Sequence, residues 1–162
     1  IRSFYASLLA FEEYYEKKWF PYTMPISDIY GLRQAFDNIK NDPYMLERHA
    51  KIGNAVRAAV KEAGLELYQE TGFSNTVTVF NVPEGTTDTA ILTAMKEKCN
   101  IMLAGSFGAF SGKVIRIGHM GENAYPEKVG AVMAGLDLVF KDLGITLKCS
   151  LKEAYDRKMS EQ

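Results

Sequence analysis

The stretch Gly112-Lys113-Val114-Ile115-Arg116-Ile117-Gly118-His119-Met120-Gly121 places an arginine in the middle of a β-branched, apolar segment. This pattern predicts a short strand that begins and ends at glycine turns. A buried arginine without an anionic partner is costly, so it is usually paired within the fold or kept for a ligand. Its planar guanidinium matches a carboxylate bidentately. We therefore expect Arg116 to bind a carboxylate-bearing small molecule, with an internal ion pair, for instance to Glu122, as the alternative.

The composition is typical of a globular protein with one hydrophobic core. The chain has 162 residues, of which 47% are hydrophobic and 24% charged, and its net charge is −1. No basic stripe interleaved with aromatic residues appears, so we expect no nucleic-acid partner. The apolar runs are shorter than the ~20 residues of a membrane helix and no leader opens the chain, so we expect a cytoplasmic protein without a membrane partner. Cys99 and Cys149 have no metal-ligand or disulfide spacing, and we expect no metal.

Helical spacing of apolar residues dominates the first part of the chain. The apolar positions from Leu8 to Tyr15 predict a first helix. Ser27 fits the N-cap of a second helix. A third helix is predicted from about Tyr44 to Ala63, where Gly64 would stop it and His49 would lie on its solvated face.

After Gly64 the apolar period shortens toward that of strands. Strands are predicted around Leu65–Leu67, Val77–Val82, Ile101–Leu103 and the Arg116 segment. Helices are predicted from Thr87 or Asp88 to Cys99, from Glu127 to Lys141, and from Leu151 to Met159. The sum is an α+β fold, with a small, mostly antiparallel sheet of three or four strands and helices packed on one face.

The first 30 residues hold nine of the chain's 19 aromatic residues, and the chain does not begin with methionine. So many rings need a surface to pack on. Either they cover the domain's own sheet, or they belong to a connection with a larger body. We favour the second interpretation, in which residues 1–25 connect from a large domain and residues 26–162 form a smaller one.

Four groups of residues occur together in an order and spacing that resemble a known family. The chain is similar to the C-terminal part of the class V, fold-type I pyridoxal-phosphate aminotransferases, in their alanine–glyoxylate and serine–pyruvate branch. The resemblance covers essentially the whole chain. It rests on Thr23-Met24-Pro25 before Ile29-Tyr30-Gly31-Leu32-Arg33, on Arg48-His49, on Asn75-Thr76-Val77-Thr78-Val79 before Val82-Pro83-Glu84-Gly85, and on Gly105 to Gly121 followed by Asn123-Ala124.

The resemblance implies a cofactor, a set of substrates and site residues. Arg116 would bind the substrate α-carboxylate. Thr23 would donate to the phosphate of pyridoxal phosphate in the neighbouring subunit of a homodimer, although on sequence alone Thr23 is equally suited to cap the next helix. Phe20 stands where the family has a tyrosine that shares this contact, and Tyr22 is close by. The substrates would be small α-amino acids such as alanine and serine, and α-keto acids such as glyoxylate and pyruvate.

The family's Schiff-base lysine belongs to its large domain, and no lysine here stands in a matching context. The resemblance therefore implies that this chain holds no catalytic residue and is inactive alone. A stand-alone, non-enzymatic module that binds a carboxylate metabolite or a partner is the alternative. A cysteine desulfurase ranks lower, because residues 104–113 contain no cysteine. His119, at the strand end, is expected to be a locally satisfied hydrogen-bonding residue.

Overall fold

The computed structural model describes residues 5, 7–12, 14–20 and 22–161. The chain divides into two compact units, Ile1–Pro43 and Tyr44–Gln162. Within the described residues, no helix is both long and apolar enough to cross a membrane.

Unit 1 contains a 3-10 turn at Leu8–Phe11, a short helix α1 at Tyr14–Lys17 and the longer helix α2 at Ile26–Lys40. The single first helix predicted here is instead two short pieces. Aromatic rings from the 3-10 turn, from α1 and from the segment before α2 contact one another edge to face or tilted, with centroids 5.6–5.8 Å apart. These rings belong to Phe11, Tyr14, Phe20 and Tyr22.

Helix α2 begins two residues earlier than the predicted cap allows. Its N-cap is Pro25, without a side-chain cap hydrogen bond, so the prediction of Ser27 as N-cap was wrong. Proline keeps φ near the helical value and needs no hydrogen bond at a helix start, which explains the shift. No residue of α2 is buried, and an apolar stripe of the helix lies exposed: Ile26, Ile29, Leu32, Phe36 and Ile39.

Unit 2 begins with α3, Met45–Glu62, which ends as predicted before Gly64 at a positive φ of 86°. Three further helices follow: α4 at Asp88–Cys99, α5 at Pro126–Asp142 and α6 at Leu151–Ser160. The side chain of Thr87 caps α4 by accepting from the backbone N–H of Ala90. These elements confirm the helices predicted after residue 43.

The sheet consists of β1, Val77–Asn81, paired antiparallel with β2, Val114–Gly118. Single bridges add Leu67 beside β1 and Ala104 beside β2. Two full strands and two single-bridge segments therefore stand where three or four strands were predicted. Residues 101–103 do not form a strand, because only Ala104 exchanges backbone hydrogen bonds with Arg116.

One face of the sheet joins the hydrophobic core. Thr78, Phe80, Ile115 and Ile117 are buried on this face, whereas Val79 and Arg116 on the opposite face are half-buried. The core continues through apolar side chains of α3, α4, α5 and α6. This arrangement is the predicted α+β class, and it places Arg116 on the face of the sheet away from the core.

Candidate functional site

The backbone of Arg116 is fixed on both sides. Val79 is its partner in β1, and Ala104 pairs with it on the other edge through hydrogen bonds of 2.7 and 3.3 Å. A strand that is paired on both edges cannot shift along its axis without breaking these bonds. The fold therefore fixes the backbone position of Arg116 and the direction in which its side chain leaves the strand.

The Arg116 guanidinium is oriented but not neutralised. Its Nε donates to the carbonyl oxygen of Gly105 at 2.6 Å. Among the described residues, no carboxylate lies within ion-pair distance of it, and Glu122, considered above as an internal partner, is not paired with it. The terminal guanidinium nitrogens are the pair that binds a carboxylate bidentately, so this arginine is suited to an external anion.

A cavity of about 720 Å³ lies beside Arg116. Its polar lining residues are Arg116, Asn123 and Lys128, and no acidic side chain is among them. The Lys128 ammonium donates to the carbonyl oxygen of Glu122. Because the charged lining groups are all cationic, the cavity favours an anionic ligand. The rest of the lining is apolar or glycine: Val77, Ile101, Met102, Leu103, Ala104, Gly118, Met120, Val129, Ala131 and Val132.

His119 is fully buried and satisfied within the fold, as the sequence predicted. Its Nδ1 lies 3.1 Å from the carbonyl oxygen of Asn75, and its Nε2 lies 2.9 Å from the hydroxyl oxygen of Thr78. A carbonyl only accepts, so Nδ1 carries the proton and Nε2 accepts from the hydroxyl in the neutral ring. Burial lowers the pKa of His119, which favours this neutral form.

The prediction that His49 lies on the solvated face of α3 was wrong. The side chain is 8% exposed, and its Nε2 accepts from the backbone N–H of Gly121 at 3.1 Å. Its Nδ1 donates to the carbonyl oxygen of Met45 at 2.7 Å. The helical period places residue 49 correctly on α3 but does not show that the loop after β2 returns to cover it.

Arg57 is a buried residue that the sequence reasoning did not single out. It donates to the carbonyl oxygen of Ser74 at 2.8 Å and to the side-chain oxygen of Asn54 at 2.6 Å. Its guanidinium also lies 5.0 Å from the centre of the Phe73 ring. Burial lowers its pKa. Arg57 thereby ties the segment before β1 to α3, and no motif in the sequence marks this role.

The candidate phosphate contacts lie in unit 1. Tyr22 and Thr23 line a cavity of about 740 Å³ together with Phe20, Tyr5 and Pro25. Thr23 is exposed and does not cap α2, since the N-cap is Pro25. Phe20 contacts the ring of Tyr22 edge to face, with 6.1 Å between centroids. With Tyr5, the residues Tyr22 and Thr23 bring three hydroxyl groups to one cavity, and hydroxyl donors suit the acceptor oxygens of a phosphate.

Comparisons with known proteins find aminotransferases among the relatives of this chain, although no family model matches it. The chain is 38% identical over 149 residues to an uncharacterized aminotransferase of Methanocaldococcus jannaschii, covering 90% of this chain and 38% of the relative. It is 35% identical to a serine–glyoxylate aminotransferase of Arabidopsis thaliana, covering 78% of this chain and 32% of that protein.

Solved structures agree with these relatives. The pyridoxamine–pyruvate aminotransferase of Mesorhizobium loti superposes with a TM-score of 0.85 at 28% identity, over 96% of this chain and 41% of that one. The ureidoglycine–glyoxylate aminotransferase of Bacillus subtilis gives a TM-score of 0.87 at 26% identity, over the same shares. The chain spans about two-fifths of the length of such relatives. The relatives are aminotransferases, and the match is consistent with the C-terminal part of a class V aminotransferase.

Proposed function

We propose that this chain is the substrate-carboxylate-binding part of a pyridoxal-phosphate aminotransferase that acts on small α-amino and α-keto acids. The observation that carries the proposal is the Arg116 guanidinium, which is oriented by Gly105 and has no acidic partner among the described residues. The relatives' names support the substrate class, because serine, glyoxylate, pyruvate and ureidoglycine each present a carboxylate.

In this proposal Arg116 fixes the α-carboxylate of the amino donor and then that of the keto acid. Both acids carry the same carboxylate beside the reacting carbon, so one arginine serves both halves of a transamination. Most residues that line the cavity are apolar, and apolar surroundings strengthen the pairing of a guanidinium with an anion. The site would accept glyoxylate or pyruvate as acceptor, and alanine or serine as donor.

Thr23 and Tyr22 would hold the cofactor by donating hydrogen bonds to its phosphate. Their position at a common cavity fits this task, and Phe20 contributes a ring without a donor. When bound, pyridoxal phosphate supplies an electron sink for the negative charge that develops at the substrate α-carbon. We propose that the phosphate belongs to the second subunit of a homodimer.

The catalytic lysine is proposed to lie in a larger domain of the full-length protein, to which residues 1–25 connect the domain formed by residues 26–162. The 162-residue chain alone would then bind substrate carboxylate without catalysing transamination. A cytoplasmic location is part of the same proposal, and the free thiols of Cys99 and Cys149 suit a reducing compartment. The comparisons favour this function over a stand-alone binding module or a desulfurase.

The test is steady-state kinetics of the full-length protein with L-alanine or L-serine and glyoxylate. We expect Arg116→Ala to raise the KM of the amino acid on the order of 100-fold, because two charge-assisted hydrogen bonds are lost. The absorbance of bound cofactor should not change. Arg157→Ala is the matched control, because this arginine is half-exposed and paired with Glu62. An unchanged KM in Arg116→Ala would refute the assignment.

A further inference from the structure

We infer that His49 is a positioning residue for the carboxylate site, and that it acts by holding the loop of residues 118–123 as one wall of the Arg116 cavity. The inference rests on the proposed function. Gly118, the last residue of β2, and Met120 and Asn123 of the loop line the same cavity as the guanidinium. The loop follows β2 directly, so its path determines how much room a ligand has beside Arg116.

The contacts of His49 fix both its tautomer and its role. The carbonyl oxygen of Met45 can only accept a hydrogen bond, and the backbone N–H of Gly121 can only donate one. These partners place the ring proton on Nδ1 and direct the lone pair of Nε2 at Gly121. Met45 and His49 both belong to α3, so the bond to Met45 orients the ring on its own helix and the bond to Gly121 connects the helix to the loop.

Gly121 is the position in the loop where a hydrogen bond to α3 has the largest effect on the path of the chain. It has a positive φ of 54°, opens the 3-10 turn Gly121–Asn123, and follows the exposed Met120. A 3-10 turn of three residues is weak by itself. The loop therefore depends on contacts from outside it to keep Met120 and Asn123 at the cavity.

A second histidine anchors the other end of the loop. His119 is bonded through its ring to Asn75 and Thr78, and its backbone N–H donates to the carbonyl oxygen of Thr76 at 2.9 Å. Residue 119 is thus fixed to the start of β1, and residue 121 is fixed to α3 by His49. Between the two attachments lies only Met120, so the bond from His49 constrains its placement from the side of Gly121. Farther along, Arg48 donates to the carbonyl oxygen of Ala124 at 2.8 Å.

Two substitutions at position 49 separate the contact with Gly121 from the rest of the ring. The Oε1 atom of His49→Gln reaches the place of Nε2 and can accept from Gly121, whereas His49→Asn keeps only the donor near Met45. In the full-length enzyme we expect His49→Asn to raise the amino-acid KM about tenfold, the effect of one hydrogen bond. Its kcat and its cofactor affinity should stay unchanged, and His49→Gln should keep a KM close to that of the wild type.

A control variant loosens the opposite end of the same strand pair. Asn81 is paired with Val114 and donates to Glu66 at 2.9 Å on the surface. We expect Asn81→Ser to leave KM unchanged. The inference is overturned if His49→Asn keeps the wild-type KM, if His49→Gln raises KM as much as His49→Asn, or if cofactor affinity falls together with KM.

Amide hydrogen exchange of the peptide that covers residues 118–124 gives a readout that does not need activity. We expect exchange at Gly121 to be about tenfold faster in His49→Asn than in the wild type, and restored in His49→Gln. If the unmodified protein shows no transamination, the proposed function fails. Faster exchange in His49→Asn alone would then still support the role of His49 in holding the loop, and equal exchange in all three proteins would overturn it.

Discussion

Units 1 and 2 place similar apolar patterns in opposite environments. Helix α2 of unit 1 and helix α3 of unit 2 both carry apolar residues at helical spacing, yet α2 buries none of them while α3 buries most of its stripe. The hydrophobic core is built from unit 2 residues between Ile52 and Tyr155. Periodicity thus predicts a helix in both cases, but only the tertiary contacts decide which helix contributes to the stability of this chain.

A pair of phenylalanine substitutions tests this difference most strongly. Phe140 is fully buried and lies edge to face against Phe80, whereas Phe36 on α2 is 62% exposed. We expect Phe140→Ala to lower the free energy of unfolding by about 3–5 kcal/mol, because it leaves a cavity in the core. Phe36→Ala should change it by less than about 0.5 kcal/mol. Urea denaturation of the 162-residue chain measures both, and equal losses would contradict the assignment of the core to unit 2.

A smaller loss is expected from Asp137, which caps α6 from a neighbouring helix. Its carboxylate accepts from the hydroxyl of Ser150 and from the backbone N–H groups of Leu151 and Lys152, at 2.6–3.0 Å. Removing it leaves helix N-terminal donors without an acceptor, so Asp137→Ala should destabilise the chain by about 2–3 kcal/mol.

The matched control for Asp137 is Asp156→Ala. Asp156 lies on α6 and is paired with Lys152 at the surface, where an ion pair contributes little. Its loss should cost less than about 0.5 kcal/mol in the same denaturation experiment. A larger loss in Asp156→Ala than in Asp137→Ala would show that the cap does not stabilise α6.

Asp137 also illustrates where prediction from sequence ends. The boundaries of α3, α5 and α6 follow from apolar spacing, Gly64 and proline, all of which act locally. Ser150 caps α6 locally by accepting from the backbone N–H of Glu153. The acceptor for the N–H groups of Leu151 and Lys152 is Asp137 of α5, which no local pattern marks. The same holds for the strand count, because Ala104 joins β2 through a single bridge after a segment whose sequence favours a strand.

The residues of the candidate site also differ in whether the local sequence identifies them. Arg116 could be identified from its own neighbours, since a cation in an apolar strand indicates a ligand or an ion pair. His49 could not, because its function depends on Gly121, which is 72 residues away in sequence. The residues that contact a ligand leave a trace in the local pattern, whereas those that position them depend on the folded path of the chain.

At two glycines in helices, substitution by alanine is expected to change the stability in opposite directions. A Cβ at Gly31 of α2 would meet nothing within 4 Å, whereas one at Gly135 of α5 would lie 3.0 Å from the methyl group of Met95. We expect Gly135→Ala to cost about 1–2 kcal/mol by overpacking. Gly31→Ala should favour the helix by about 0.5–1 kcal/mol, through backbone entropy alone. Slower amide exchange across α2 would confirm the gain, and a loss at Gly31 would show that a close neighbour covers this position.

The smallest expected effect concerns the pH dependence of unit 2. The pKa of His119 is lowered from 6.5, first by burial and further by the nearby charge of Arg57. The unfolded chain therefore binds a proton at a higher pH than the folded chain does. The stability that His119 contributes is present above pH 6.5 and is lost as the pH falls toward the lower folded pKa.

His119→Gln removes this titration, so its unfolding free energy should fall less than that of the wild type between pH 7.5 and pH 5.5. Other groups titrate alike in both proteins, and the difference between the two slopes therefore isolates the ring. If the His119 ring were exposed in the folded protein, its pKa would be the same in the folded and unfolded states. The unfolding free energies of the wild type and the variant would then fall in parallel. A steeper fall in the variant would mean that the folded state stabilises the charged ring, which contradicts its burial between Asn75 and Thr78.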